Sequence, residues 1–286
     1  MTDDPRRACC APSGASPGDA RRRELLRRGL TAGAGARVMV ALSAWGFDAA
    51  ALAQAPMTPA APAAQAEGLT PFSRYPPASA LPAPWREQTL SGIRPNRISL
   101  VSDEGRTVLQ FDSDASASSV LHPVGVPQAQ ATRLRWRWKT TAYPQDRWFG
   151  EKRGDDFAAR VYVLYDYPTN RVPLPQRMML GGARLLHDPE LPAAALCYLL
   201  DPRAAQDTLI ESPYTSRVRM IVARSTRTTD RWWDEERDLT ADFTRAFGAE
   251  YGAGVAPIRA VVVAADTDQT GARLVTRFGD VSLDTR

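Results

Sequence analysis

The chain has 286 residues, with 36 basic and 32 acidic side chains and a formal net charge of +4. Eight of the arginines and five of the acids fall within the first 53 residues, which leaves 28 against 27, or +1, for the rest. A near-neutral body lacks the basic stripe that nucleic-acid binding requires, so no nucleic-acid partner is expected.

Residues 1–53 read as a twin-arginine signal peptide. Arg22-Arg23-Glu24-Leu25-Leu26-Arg27 precedes a Gly/Ala/Val/Leu stretch, and Ala51-Leu52-Ala53 supplies the small-x-small pattern of a cleavage site. Arg37 interrupts the apolar stretch, and Trp45 to Ala53 is too short to span a bilayer. The expectation is a periplasmic or secreted protein with no stable membrane anchor after signal cleavage. Cys9 and Cys10 precede the twin arginines and leave with the leader, so Cys197 is the one thiol of the mature chain. It lies in an apolar run, as a buried, inert thiol would.

Residues 54–68 are an Ala/Pro-rich spacer, and 69–286 have the length of one domain with a sizeable core. A hairpin turns at Asp103-Glu104-Gly105 into a strand over Arg106 to Phe111. Arg133 to Lys139 alternates strictly, with Leu134, Trp136 and Trp138 on one face and four cations on the other, the mark of a sheet with one buried face. Asp155 to Tyr165 alternates too, with Phe157, Ala159, Val161, Val163 and Tyr165 on one side and Asp156, Ala158, Arg160, Tyr162 and Leu164 on the other. Asp166 to Pro192 holds five prolines and Gly181-Gly182, and is expected to be a long excursion from the sheet. Further strands are predicted over Ala194 to Leu200, Val218 to Ala223, Ile258 to Ala265 and Ala272 to Phe278. One helix is predicted over Leu239 to Phe247, capped by Asp238 and stopped by Gly248. The fold class is all-β, a jelly-roll-type β-sandwich with one short helix.

Seven strings carry a family likeness: Leu81-Pro82 with Trp85; Trp136-Arg-Trp-Lys139; Gly154-Asp-Asp-Phe-Ala-Ala-Arg-Val-Tyr-Val163; Ser212-Pro-Tyr-Thr215; Ala246-Phe-Gly248; Asp266-Thr-Asp-Gln-Thr-Gly271; and Phe278-Gly-Asp-Val-Ser-Leu283. On these the chain resembles the bacterial domain-of-unknown-function family 3047. That resemblance implies a jelly roll of the carbohydrate-binding type and leaves activity unassigned. Two positions depart from it, Gln269 where Asn is usual and Leu199 where Trp is expected.

Two constellations bear on chemistry. Asp266 and Asp268 stand two residues apart before Gly271, a spacing that offers clustered oxygens to calcium, although Arg277 sits where an EF-hand loop would need its bidentate Glu. The competing reading, which the residues favour, is a hairpin turn whose carboxylates bond local amides, with no cofactor. Asp155 and Asp156 are expected to open a strand and point to opposite faces. Arg135, Arg137, Asp156, Arg160 and Tyr162 form a ligand-binding patch if their strands pair, with cations for carboxylates and a ring for stacking; a solvated charge ladder is the bland alternative. Trp148-Phe149 and Trp232-Trp233 suit core and edge packing, or one exposed ring of each pair suits a sugar.

The missing chemistry narrows the choice. His122 and His187 have no zinc-like neighbours, and the one Gly-x-Ser-x-Gly string, Gly14 to Gly18, lies in the leader. Lys139 and Lys152 are the only lysines after it, and no phosphate-binding glycine loop is present. The leading reading is an exported, non-catalytic domain that binds a glycan or other cell-envelope component. One alternative is an acid/base glycan hydrolase or lyase using Asp156 with Asp266 or Asp268; another is a periplasmic structural or assembly factor. Changing Arg22→Lys together with Arg23→Lys is expected to leave the precursor in the cytoplasm, which cell fractionation would read; unchanged export would remove the localisation reading.

Overall fold

The computed structural model describes residues 68–125, 129–144, 149–186 and 191–284. The twin-arginine leader, the spacer up to residue 67, Trp148 and His187 lie outside the described residues. In chain order the elements are β1 (Arg86–Thr89), β2 (Arg97–Asp103), β3 (Arg106–Asp114), β4 (Ala117–Pro123), β5 (Arg133–Thr140), β6 (Ala159–Tyr165) and α1 (Leu174–Leu186). They continue with β7 (Ala194–Leu200), β8 (Leu209–Glu211), β9 (Val218–Arg224), β10 (Trp233–Asp238), α2 (Leu239–Tyr251), β11 (Ile258–Asp266), β12 (Arg273–Phe278) and β13 (Ser282–Asp284).

The strands form two curled sheets packed as a jelly-roll-type sandwich. The first sheet runs β1-β4-β11-β6-β7-β9-β8, and the second runs β10-β5-β12-β3-β2, with β13 also paired to β5. Pairing is antiparallel except between β7 and β9. The alternating strand Arg133–Thr140 behaves as its pattern predicts: Leu134, Trp136 and Trp138 are buried, and the intervening cations face outward. Trp136 crosses the layer gap to Tyr198 of β7, ring centroids 5.3 Å apart, while Trp138 packs on Phe278 of β12 at 6.5 Å. The β2–β3 hairpin turns on Glu104 and Gly105, both at positive φ (51° and 77°), the geometry of a two-residue hairpin loop that matches strand twist.

Three expectations are corrected. The excursion from Asp166 to Pro192 contains the helix α1, so the fold has two helices among the described residues. Pro175 sits in its first turn, where a missing N–H is harmless, and Leu180 is buried in the core together with Val172 and Leu191. That burial outweighs the propensity lost at Gly181 and Gly182, about 1 kcal/mol each. Helix α2 does not stop at Gly248 but runs to Tyr251 and ends at Gly252, φ 82°. Tyr251 packs on Phe243 at 5.1 Å and on Tyr167 at 5.2 Å, which rewards the extra turn. Asp238 caps this helix as expected, accepting from Ala241 N at 2.9 Å.

The third correction concerns β6, which begins at Ala159 and not at Asp155. Ala264 pairs with Arg160, so an unbroken ladder would set Asp266 opposite Ala158; instead Asp266 N donates to Phe157 O at 3.2 Å. A one-residue slip turns the preceding side chains over. Phe157 therefore stands with Arg160 on the outer side of the first sheet, its ring 4.4 Å from the guanidinium carbon.

The indole of Trp138 is fully buried and donates to Glu235 at 3.1 Å, which also accepts from Arg224 at 2.9 Å. Trp138→Ala is expected to cost about 3–5 kcal/mol, the range for large aromatic truncations in cores. A urea midpoint close to wild type would show that this face is not the core.

Candidate functional site

Two clusters of polar side chains stand out, one consumed internally and one open. The first lies where the slip at Phe157 meets the turn after β11. Asp156 is fully buried, and its carboxylate accepts from Thr270 N and Thr270 Oγ1, both at 2.6 Å, and from Gln269 N at 3.3 Å. In return, Phe157 N donates to Asp266 Oδ1 at 2.9 Å, and Arg160 Nε to the same oxygen at 3.1 Å. Arg160 Nη2 also pairs with Asp266 Oδ2 and donates to the Asp155 backbone oxygen. Arg203 locks the far side, donating to Gly154 O and Asp156 O, both at 2.9 Å, while its guanidinium pairs with Asp201 at 2.6 Å. Tyr214 closes the rim, accepting from Gln269 Nε2 at 2.7 Å and donating to Lys152 O at 3.2 Å. Gly154 to Val163, Ser212 to Thr215 and Asp266 to Gly271 thus converge on one clasp.

Asp156, Asp266 and Asp268 do gather, each offering an oxygen within 4.8 Å of the others. Their donors decide what the cluster does. Both oxygens of Asp156 are taken by the 269–270 turn, and both oxygens of Asp266 are taken by Phe157 N and Arg160. A divalent ion would displace those donors and sit beside a buried guanidinium, which opposes calcium binding. The turn reading also needs correcting. Its amides are satisfied by Asp156, more than a hundred residues away, and the Asp266 carboxylate reaches to β6. Nor do these acids fit the hydrolase or lyase reading: Asp156 is buried and lies beside Asp266 and Asp268, whereas glycoside hydrolysis needs two carboxyls facing across a cleft.

Burial pushes Asp155 up to about 6 despite Arg160 beside it, and pushes Asp266 and Asp268 up as well. Asp155 Oδ1 is buried without a partner. Cys197, whose partner across the ladder is Tyr162, is buried, and desolvation raises its thiol to about 12, so it is inert at neutral pH.

The second cluster lines an open groove of about 630 Å³ on the outer face of the second sheet. Arg135 and Arg137 of β5, Trp232 just before β10, Asp234 and Glu236 of β10, Asp103 of β2 and Asp280 line it. Arg137 is held from two sides. Its guanidinium lies 4.6 Å from the Trp232 ring centroid, and its stem runs over Gly279, where a Cβ would fall 2.8 Å from Arg137 Cδ and nearer still to Cγ. Lys139 adds a second cation 5.0 Å from the same ring. Asp280 accepts from Ser73 N at 2.9 Å, fixing the far wall.

Several charges in the groove pair locally. Arg135 pairs with Glu236 at 2.8 Å and with Asp284, and Arg137 pairs with Asp234 at 3.5 Å. Asp103 pairs with Lys139 at 2.6 Å and Arg277 at 2.8 Å. Burial pushes Asp103 up, but the hydrogen bonds and charges of those two cations prevail and hold it below the ordinary carboxylate range. Hydrogen bonds from Arg135 and Arg133 hold Glu236 low.

The five patch residues named from the sequence do not come together. Arg135 and Arg137 stand on the second sheet, because β5 pairs with β10, β12 and β13 and not with β6. Asp156, Arg160 and Tyr162 belong to the other layer, and Arg160 donates to Tyr162 Oη at 3.1 Å. Sequence reasoning singled out Arg137 and the Trp232-Trp233 pair separately but missed Gly279, Asp280, Asp103 and Ser73. The signal was present in Trp136 to Lys139 and in Phe278-Gly-Asp, two strings of the family likeness that meet here.

The profile of a protein family described as "Protein of unknown function (DUF3047)" matches residues 83–282. No curated protein matches the chain. Among solved structures, the chain is similar to an endoglucanase from Rhodothermus marinus at 13% identity and a TM-score of 0.38, over 74% of this chain and 96% of that one. It is similar at 10% identity and a TM-score of 0.39 to the xyloglucanase domain of a type three effector from Sinorhizobium fredii, solved with cellobiose, over 75% and 97% of the two chains. An adhesin domain of Lys-gingipain from Porphyromonas gingivalis aligns at 11% identity and a TM-score of 0.35, over 76% and 97%. These are likenesses of architecture only.

The raised Asp155 has a consequence for stability. Its folded value, about 6, lies above the ordinary 3.8, so the folded state holds this proton more tightly than the unfolded chain. The resulting stabilisation is complete below the unfolded value and is lost as pH rises through about 6. Going from pH 7 to pH 5 should therefore stabilise wild type relative to Asp155→Asn by about 1 kcal/mol. The comparison with the variant removes the opposite contribution of His122, whose burial pulls its imidazole down. Equal pH dependence of the two urea midpoints would show that Asp155 is ionised throughout.

Proposed function

The chain belongs to the DUF3047 family, and from that premise we propose that it is an exported, non-catalytic domain that binds a neutral, hydroxyl-rich glycan of the cell envelope in the groove on the second sheet. The observation that carries the reading is Trp232, a half-buried indole lining an open groove whose remaining walls are fixed hydrogen-bonding groups. Aromatic faces with a few rigid polar groups are what sugar rings require: C–H surface stacks on the indole, while hydroxyls meet the carboxylates and guanidinia. Arg135 and Arg137 already stand beside carboxylates, so a uronate gains less from them than from free cations, and an uncharged ligand suffers no repulsion.

The non-catalytic reading has support at two of the acids that line the groove: a general acid needs a carboxyl held above the ordinary range, whereas Asp103 and Glu236 are held below it. A periplasmic or secreted location rests on the leader sequence alone.

Trp232→Ala is expected to weaken binding of a neutral β-linked oligosaccharide at least about tenfold, as loss of a central aromatic contact does, while leaving the melting temperature near wild type. Gly279→Ala should weaken it too by displacing Arg137. Titration calorimetry against neutral and uronate-containing oligosaccharides would read both effects. Binding that survives both changes, or a clear preference for the uronate, would overturn the assignment.

A further inference from the structure

The segment that leads into β1 is pinned to the sandwich by a buried histidine outside the groove. His122, on β4, is 4% exposed. Its Nε2 accepts from Thr70 N at 3.1 Å, and its Nδ1 lies 2.6 Å from Pro123 O. An amide N–H can only donate and a carbonyl oxygen can only accept, so these two partners fix the ring as the neutral Nδ1–H tautomer. Thr70 Oγ1, 3.2 Å from Nε2, can donate to the same nitrogen. Trp85, just before β1, clamps the pair: its indole donates to Thr70 O at 2.7 Å and meets the imidazole edge to face, centroids 4.8 Å apart.

Residues 68–75 form a strap between this histidine and the groove. Leu69 and Phe72 are buried, and Phe72 packs on Trp85 at 4.8 Å. A short helical turn, Phe72–Arg74, carries the chain past Thr70 to Ser73, whose N–H and hydroxyl both donate to Asp280. Ser73 and Asp280 both line the groove. The hydrogen bond at Thr70 and the wall of the groove thus belong to one short, continuous stretch of backbone.

Protonation would put a second N–H on the ring, at Nε2 and aimed at the Thr70 amide, and would leave a cation buried. Thr70 N then loses its acceptor, and Thr70 Oγ1 is left to receive the new proton. Charged residues on the neighbouring elements offer no compensation. They are Arg86 and Glu87 on β1, Arg259 on β11, and Arg74 and Asp280 at the strap. The imidazole is instead pulled below its ordinary 6.5 by burial, opposed by the Pro123 carbonyl. The closed strap is therefore favoured above that value and weakens progressively as pH falls below it. We infer that His122 is a proton-operated latch on the strap and, through Ser73 and Asp280, a positioning residue for the groove. Neutral, it holds Thr70 and keeps the wall in place. Protonated, it frees the strap backbone while Leu69 and Phe72 stay anchored. The effect on the groove rests on the glycan reading; the latch itself does not.

The test uses the full chain at pH 7 and pH 5. Amide exchange, corrected for its intrinsic pH dependence, should show the protection of Thr70 and Ser73 falling about fivefold or more at pH 5, while amides of β7 keep theirs. His122→Gln, whose side-chain oxygen accepts without titrating, should remove that difference. Calorimetry with a neutral β-linked oligosaccharide should show wild-type affinity falling about threefold or more at pH 5, and His122→Gln should make affinity independent of pH over this range. Equal wild-type protection at both pH values, or the same loss in His122→Gln, would overturn the latch. A loosened strap with undiminished affinity would overturn its link to the groove. Absence of binding at both pH values would count against the glycan reading, and exchange would then decide the latch. If His122→Gln fails to fold, wild type decides alone. The chain has two histidines, so the His122 ring can be followed by NMR, and a loosening whose midpoint differs from that titration would overturn the proposal.

Discussion

The pairing of Arg160 with Asp266 is the interaction on which the first sheet hangs. Arg160 is 6% exposed, and an unpaired guanidinium at that depth would be very costly. Its acceptors lie on two different segments, Asp266 at the end of β11 and Asp155 before β6. Satisfying one charge therefore fixes two strand ends, the slip at Phe157 and the path of the 154–158 segment. From there the dependency spreads outward: the segment so placed presents Asp156 to the amides of Gln269 and Thr270, and its carbonyls to Arg203. A buried ion pair adds little net stability over a well-packed apolar pair, but removing one partner strands the other. The clasp is thus better understood as specifying one arrangement than as a source of stability.

The groove on the opposite layer uses the same side-chain types to a different end. There the pairs of Arg135 with Glu236 and Asp284 are half-exposed, so each contributes little to stability, while Asp103 and Lys139 are nearly buried. What they supply is a surface with fixed donors and acceptors. Gly279 is the hinge of that arrangement: only a residue without a side chain lets the Arg137 stem lie against the backbone and reach Trp232. The position of one guanidinium is set by sterics on one side and by an aromatic ring on the other, which leaves its unused N–H groups directed and rigid.

The sequence made the strands legible where one face was apolar and the other was not, as in Arg133 to Lys139, and where apolar runs were long, as in Ala194 to Leu200. It was misleading where tertiary contacts overrode local signals. Trp233 to Asp238 is mostly charged and reads as loop, yet it is a strand because its carboxylates align with Arg133, Arg135 and Arg137 across the ladder. Helix α1 was hidden by prolines and glycines whose local penalty is offset by buried Leu180. Phe157 was assigned to the wrong face because a single slipped hydrogen bond is invisible to a period-2 pattern. The proposed patch failed for a deeper reason: alternation tells which side of its own strand a residue occupies, not which strand lies beside it. The family strings were the better guide, since four of them proved to be two facing pairs, Gly154–Val163 with Asp266–Gly271 and Trp136–Lys139 with Phe278–Leu283.

The positions of β11 and β12 bear on how this protein can be made. β11 lies between β4 and β6 in the first sheet, and β12 lies between β5 and β3 in the second. Residues 258–278, which follow every described strand except β13, therefore supply an interior strand to each layer. A nascent chain on the ribosome holds β3, β4, β5 and β6 with no neighbour to bridge them, and each exposes a full row of unpaired backbone groups. Local hairpins such as β2–β3 can form early, but neither layer becomes continuous until β11 and β12 have been made. Completion of both layers then waits on this one late segment, and the chain depends until then on whatever shields open strand edges.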